Sequence, residues 1–274
     1  MGLRIATNTS SIAAQRVLGT QQKRAAHSAQ AIASGSRIVN AADDAAGLAI
    51  SENFKGQMKG ISQARNNANN AISFVQVSEG GLSEISNILI RLRELGVQAA
   101  SDHLGDTERE FLDRESKQLI QEADRISKTT VFGNKKMLDG SAGELEFQVG
   151  ANGGEDNRIT FNFDSDATAS KLGISGIDIT DKGGARDSLE AVDEAMSQVG
   201  AMRATFGAMQ SRMESAVSNL DVSYENLSAA NSRIRDTDIA KETSEMASAS
   251  ILQNAAVSVL AQANQMPQVA LKLV

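Results

Sequence analysis

The 274-residue chain has no cysteine and no tryptophan, one tyrosine and one proline, Pro267. Without cysteine, disulfides and thiolate chemistry are excluded. Only two histidines are present, His27 and His103, so a zinc site would have to rest mostly on carboxylates, which zinc centres rarely do. Aromatic residues make up 3% of the chain against 41% apolar overall, which leaves little of the broad aromatic area that lines a small-molecule pocket. One proline leaves long helices uninterrupted. A net charge of −7 argues against a general nucleic-acid binder, and no stretch is apolar enough to insert into a membrane. Residues 1–10 carry no apolar signal region, so cleaved secretory export is not expected and another route would be needed. Metalloprotease, phosphate-loop, nucleophile-elbow and dinucleotide motifs are all missing, and no cofactor or catalytic residue is expected.

What is present is heptad periodicity. Alternating steps of four and three from residue 50 pass through Ile50, Phe54, Ile61, Val75, Leu82, Ile85, Leu89 and Leu92, and twelve of the fifteen positions from Ile50 to Ala99 are apolar. The pattern predicts one helix over 44–100, about 85 Å long. A second seam runs from Leu189 to Ile234 through Phe206, Met213, Leu220 and Leu227, with Arg203 and Asn231 read as register-fixing polar contacts. The two rods match in character, and the simplest arrangement packs them along one another. Between them, Thr107 and Glu110 form a capping-box pattern ahead of a shorter helix. Asp43 and Asp44 stand where the first rod should begin.

Both ends carry weak amphipathic helices: Ile5, Ile12, Leu18 and Ile32 toward the N-terminus, and Leu252, Val259 and Met266 toward the C-terminus, interleaved with alanine. Neither is expected to be stable alone, and both are expected to order only on assembly. Residues 1–42 hold five basic side chains and no acidic one, and residues 246–271 hold no charge at all. Such an uncharged stretch is either a helix buried within its own domain or a face buried by other subunits, and the second reading is preferred.

The middle changes period. Leu145–Val149 and Arg158–Phe163 alternate as strands around a Gly/Asn-rich loop, which predicts a β-hairpin, and residues 164–186 read as turns with a short strand. Asn152-Gly153-Gly154-Glu155-Asp156 lacks calcium-loop spacing and reads as the hairpin loop. Asp102, Asp106, Glu108 and Glu110 read as a solvated turn and helix start, and His27 as a polar helix position. The Asn-x-Ser/Thr matches at Asn8 and Asn226 fall in packing helices, where modification is not expected. The fold class expected is mainly α: long antiparallel coiled-coil-like rods, paired terminal helices and a small β-hairpin region. The domains expected are 1–42 with 235–274, and a core over 43–234 with its hairpin region at 141–180.

Several long segments stand in a telling order. Ser34-Gly35-Ser36-Arg37-Ile38 leads into the run from Ala41 to Ile50, followed by Gln63–Asn69 and Arg91–Ala100. Near the other end come Asn226–Ile234 and Leu260–Gln268. Together they resemble bacterial flagellins over roughly 1–140 and 200–274. The resemblance implies an extracellular filament subunit that serves motility, built as a helical homopolymer. Its terminal helices would line the central channel, and no large outer domain would fit in the middle. It also implies a flagellar export chaperone over 235–274, passage through the type III export apparatus, and contact with hook-associated and cap proteins. The family region met by the flagellin-sensing Toll-like receptor falls on Arg91, Leu95 and Glu115. Ile90 stands where the family usually has Gln, which implies weak recognition. Ala31-Ile32-Ala33 also replaces a common Arg-Leu-Ser. The rivals are a hook–filament junction protein with similar ends and an intracellular coiled-coil adaptor that binds partner helices.

Overall fold

In the computed structural model, residues 7–163 and 165–271 are described. Five helices account for most of them. α1 spans Thr9–Ser34; the Asn8 side chain caps its start by accepting from the Ser11 N–H at 3.0 Å, and Gly35, at φ +66°, ends it in the left-handed conformation that glycine tolerates best. α2 spans Ala45–Ala99 without a break, about 80 Å at the usual rise. Its cap is Asp44, whose Oδ1 accepts from the Gly47 N–H at 2.8 Å.

α3 spans Asp106–Thr129, and here the expected capping box does not form. The cap residue is Gly105, with no side-chain bond, and Thr107 already lies inside the first turn. Asp106 and Glu108 supply negative charge to that turn instead. α4 spans Lys182–Arg235, and α5 spans Ile239–Leu271, capped by Asp238 Oδ1 accepting from the N–H groups of Ala240 and Lys241. α5 therefore starts well before the stripe counted from residue 249.

Four short strands follow α3. β1 (Val131–Phe132) and β2 (Lys135–Lys136) pair around Gly133-Asn134, with Gly133 at φ +60° supplying the positive first turn position that a tight hairpin of this kind needs. β3 (Gly143–Gln148) pairs antiparallel with β4 (Arg158–Phe163), Leu145 opposite Phe161 and Phe147 opposite Ile159. The first hairpin was not anticipated. The strand expected within 164–186 is absent among the described residues, where Asp166 makes a single bridge to Asp139 and turns and bends run on to the start of α4.

The chain packs as two units, 58–224 and 1–57 with 225–274. In the larger unit α2 and α4 run antiparallel, tied by Arg93–Asp193 at 2.7 Å, Glu79–Arg203 at 3.5 Å and Arg65–Asp221 at 2.9 Å. The first and last of these pairs are equally far apart in sequence on both helices, so the register holds between them. Beneath the ladder, Ile61, Val75, Leu82, Ile85, Leu89 and Leu92 of α2 are buried, as are Val192, Val199, Phe206, Met213 and Leu220 of α4. Six of the eight phenylalanines gather in this core. Phe74 meets Phe163 edge-on at 4.8 Å and Phe132 at 5.4 Å, with Phe147, Phe161 and Phe206 completing the group. The two hairpins thereby deliver their aromatic faces to the helical rods.

In the smaller unit α1 and α5 lie side by side and antiparallel: Asn8 Nδ2 donates to the Ala263 carbonyl at 2.7 Å, and Ser11 Oγ to Asn264 Oδ1 at 2.8 Å. The breaks that end α1 and α4 also pair, through a Ser36–Asp236 bridge with Arg37 N–H donating to the Arg235 carbonyl at 2.7 Å. The Arg37 guanidinium donates to the Ile234 carbonyl at 2.8 and 3.1 Å, satisfying an orphan acceptor at the end of α4.

Candidate assembly surfaces

The contact between α1 and α5 is made by small side chains. On α1 the buried residues are Ser11, Ala14, Ser28 and Ala31; on α5 they are Ala249, Ala256 and Ala263, spaced by sevens. Small residues let two backbones approach closely but bury little apolar area per turn. Most of the large apolar residues of the same helices point away. Ile12 is 58% exposed, Ile251 68% and Val259 56%, and Val17, Leu252, Val257 and Met266 are exposed with them. Leu18 and Ile32 are half-buried, and Ile5 lies outside the described residues. One seven-residue spacing thus holds the pair together, while an adjacent spacing on α5 – Leu252, Val259 and Met266 – is left open to solvent.

His27 is more than a polar helix position. Its Nε2 lies 3.2 Å from Asp43 Oδ2, which also accepts from the N–H groups of Asn40 (2.8 Å) and Val39 (3.1 Å). These donors, Asn40 first and then His27, hold the Asp43 carboxyl below its ordinary range. Arg235 Nη1 reaches Glu52 at 2.6 Å, and this bond and the nearby Lys55 charge lower the Glu52 carboxyl in the same way.

Two corrections concern the rods. Ile50 is not on the seam: it is 47% exposed, while Ser51 beside it is fully buried and accepts from Arg235 at 3.2 Å. Counting back from Ile61, the stripe passes through half-buried Met58 and Phe54 to Ser51, so stepping forward from the larger side chain misplaced the first turn. On α4 the second seam position falls one residue earlier than counted: Ser188, Ala195 and Met209 are buried, whereas Leu189, Met196 and Gln210 are only half-buried. Leu227 is half-buried and Tyr224 exposed. In both helices small residues such as Ser51, Ser188 and Ala195 occupy buried positions, where a size-weighted reading does not look for them.

Arg91 and Glu115 form a surface pair at 2.7 Å, with Glu94 also on Arg91 at 2.9 Å, and these carboxylates, Glu115 first, raise the guanidinium further above its usual range. Leu95 does not join them on the surface; it is fully buried with Ala99, Ile179 and Ala185. Two members of the acidic cluster, Asp102 and Asp106, form ion pairs. Asp102 accepts from Lys182 at 2.6 and 2.7 Å, and Asp106 lies 3.5 Å from Arg109. Sequence reading missed Arg109 altogether. It is 8% exposed and donates to the carbonyls of Ala99 and Ser101 at 2.9 Å each, closing the corner between α2 and α3. It also missed Asp113 and Asp124 of α3, which accept from the backbone N–H groups of Ile179 and Ala169 and anchor the turns after β4. Among the described residues no group of three or more His, Cys, Asp and Glu converges to hold a metal ion, and no helix is long and apolar enough to cross a membrane.

The bacterial flagellin N-terminal helical region matches residues 5–143, and the bacterial flagellin C-terminal helical region matches residues 189–274. The chain belongs to the bacterial flagellins. It is 41% identical over 266 residues to a flagellin of Halalkalibacterium halodurans, covering 97% of each chain. It is 39% identical to a flagellin of Bacillus subtilis, covering 99% of each chain. Its fold is similar to the crystal structure of Bacillus cereus flagellin, with a TM-score of 0.50 and 28% identity over 57% of this chain and 88% of that one. The stretch between the two matched regions, 144–188, holds nearly all of β3, the whole of β4, the turns that follow and the first residues of α4.

Proposed function

We propose that this flagellin is the structural subunit of an extracellular bacterial flagellar filament, that it serves motility and that it is not an enzyme. One observation carries the reading. The terminal helices satisfy each other through alanine and serine and leave a row of large apolar side chains uncovered, a surface that a chain acting alone in water would be selected to avoid. Copies of the same chain are the occupants that repeat along a filament, and contacts between unlike faces propagate as an open helix. In this reading 1–42 and 235–274 form the inner part around the channel, and 43–234 form the surrounding core.

The remaining partners follow from the same surface. Before export, the apolar face of α5 needs cover, and a flagellar export chaperone bound within 235–274 would supply it ahead of passage through the type III apparatus. Hook-associated and cap proteins would meet the ends of the polymer. A Toll-like receptor approaching this flagellin would find Arg91 and Glu115 at the surface but Leu95 inside, with Ile90 beside them. Weak recognition is the expected outcome, and a receptor dose-response that saturates well below micromolar protein would contradict it.

The deciding experiment is electron microscopy of purified full-length chain after adding short filament seeds. Long tubes with a narrow axial channel are expected. A chain lacking 246–274 is expected to form none while keeping the helical signal of α2 and α4. Tubes from the truncated chain, or small closed particles from the intact one, would overturn the proposal.

A further inference from the structure

The β3–β4 loop contains the only Asn-Gly pair in the chain, Asn152-Gly153. Every other asparagine is followed by a residue with a side chain, and most lie within helices. Asn152 and Gly153 are both exposed, outside any helix or strand, and a Cβ placed on Gly153 would meet nothing within 4 Å. The loop is held from one side: Gln148 Nε2 donates to the carbonyl of Gly150 at 2.9 Å and to that of Asn152 at 2.7 Å. Ala151 rests against α2 at Gly60.

We propose that Asn152 is a site of spontaneous deamidation, for which Gln148 is a positioning residue. The Gly153 amide nitrogen gives up its proton to hydroxide and bonds to Asn152 Cγ. The Cγ–Nδ2 bond then breaks and ammonia leaves with a proton from water, giving a five-membered succinimide. Water then opens the ring at either carbonyl, leaving aspartate or isoaspartate; nothing is oxidised or reduced. Glycine matters because it puts no side chain beside the attacking nitrogen and lets the backbone turn into the reactive geometry. Gln148 matters because the carbonyl it binds belongs to the same peptide group as the Gly153 N–H. A donor already in place there stabilises the negative charge that appears on that oxygen as the proton departs. The product adds a carboxylate beside Glu155 and Asp156, and its isoaspartyl form lengthens the loop backbone by one methylene.

The test is peptide mapping of the purified full-length chain during incubation at mildly alkaline pH. The Asn152 peptide is expected to gain one dalton and split into aspartyl and isoaspartyl forms, ahead of every other asparagine. Gly153→Ala, which the open surroundings accommodate, should slow the change by roughly tenfold or more. Gln148→Ala should slow it in the folded chain but not in urea. An Asn152 that stays intact, or that reacts only after unfolding in urea, overturns the site; equal slowing by Gln148→Ala in both conditions overturns the part assigned to Gln148.

Discussion

The two units of this flagellin use apolar side chains in opposite ways. In 58–224 the largest core side chains turn inward, with Leu82, Ile85, Leu89, Phe163, Phe206 and Met213 all fully buried, while Val97, Phe111 and Val222 are exposed at its surface. In the unit of the chain ends, the buried apolar residues described are alanines, with Ile38 the one exception, while Ile12, Ile251, Leu252 and Val259 face solvent. Burying one large side chain contributes about 1.5–3 kcal/mol and an alanine methyl only a fraction of that. The larger unit therefore carries its own stabilisation, whereas the terminal helices leave most of their large apolar side chains unburied. The lesson is that a helix pair can be built to be specific without being self-sufficient: alanines at sevens fix which faces meet, and the residues that would supply the energy are aimed elsewhere.

The largest expected effect lies in the larger unit. Phe163 joins β4 to both rods through Phe74 and Phe206, and Phe163→Ala should cost about 3–5 kcal/mol in urea unfolding followed by circular dichroism. A loss below about 1 kcal/mol would mean that the aromatic cluster is not the centre of that core. A smaller effect is expected at the other unit. Ala256→Leu forces a large side chain into the small-residue contact and should destabilise the α1–α5 pair by about 1–3 kcal/mol. Leu252→Ser with Val259→Ser should leave the soluble chain within about 0.5 kcal/mol of its parent yet stop seeded growth. If the serine variants melt early and Ala256→Leu does not, inward and outward faces have been assigned the wrong way round.

Much of this contrast was legible from residue spacing. A seam sustained from Ile61 to Ala99 leaves no doubt about a long helix, because apolar residues at steps of three and four over that distance satisfy no other structure. The alternation in Leu145–Val149 and Arg158–Phe163 was equally plain. The misses share one cause, that small or polar residues did structural work which patterning by size cannot register. Ser51, Ser188 and Ala195 are buried in spite of their size, and Arg109 and Asp113 are buried with bonds to backbone groups outside their own helix. Val131-Phe132-Gly133-Asn134-Lys135-Lys136 did carry a hairpin signal in its Gly-Asn turn, but two-residue strands are too short for alternation to show. Leu95 was placed with Arg91 by family likeness, which groups residues by sequence neighbourhood and says nothing of which side of the helix each occupies.

The smallest effect separates the units by acid. In the terminal unit Asp43 is held low by the Asn40 N–H, His27 and the Val39 N–H, and Glu52 by Arg235. In the larger unit Asp102 is held low by Lys182, and Asp178 by the hydroxyl and N–H of Thr180. All four have folded-state values below those of the unfolded chain. Their contribution is therefore fully present above the ordinary carboxylate range, near pH 4, and is lost as pH falls through the folded values. Thermal midpoints should accordingly stay level on the acidic side of neutrality and drop only below about pH 4. The terminal unit has few buried large side chains to set against the loss of the Asp43 and Glu52 contacts, so its helices should melt first on acidification. Asp43→Ala should lower the neutral midpoint slightly and flatten the acid limb, because the group that titrates is gone. Asp102→Ala should leave that first transition untouched. If Asp43→Ala kept the full acid limb while Asp102→Ala removed it, the weaker unit under acid would be the larger one, and the division between a self-supporting core and a dependent pair of ends would have to be reversed.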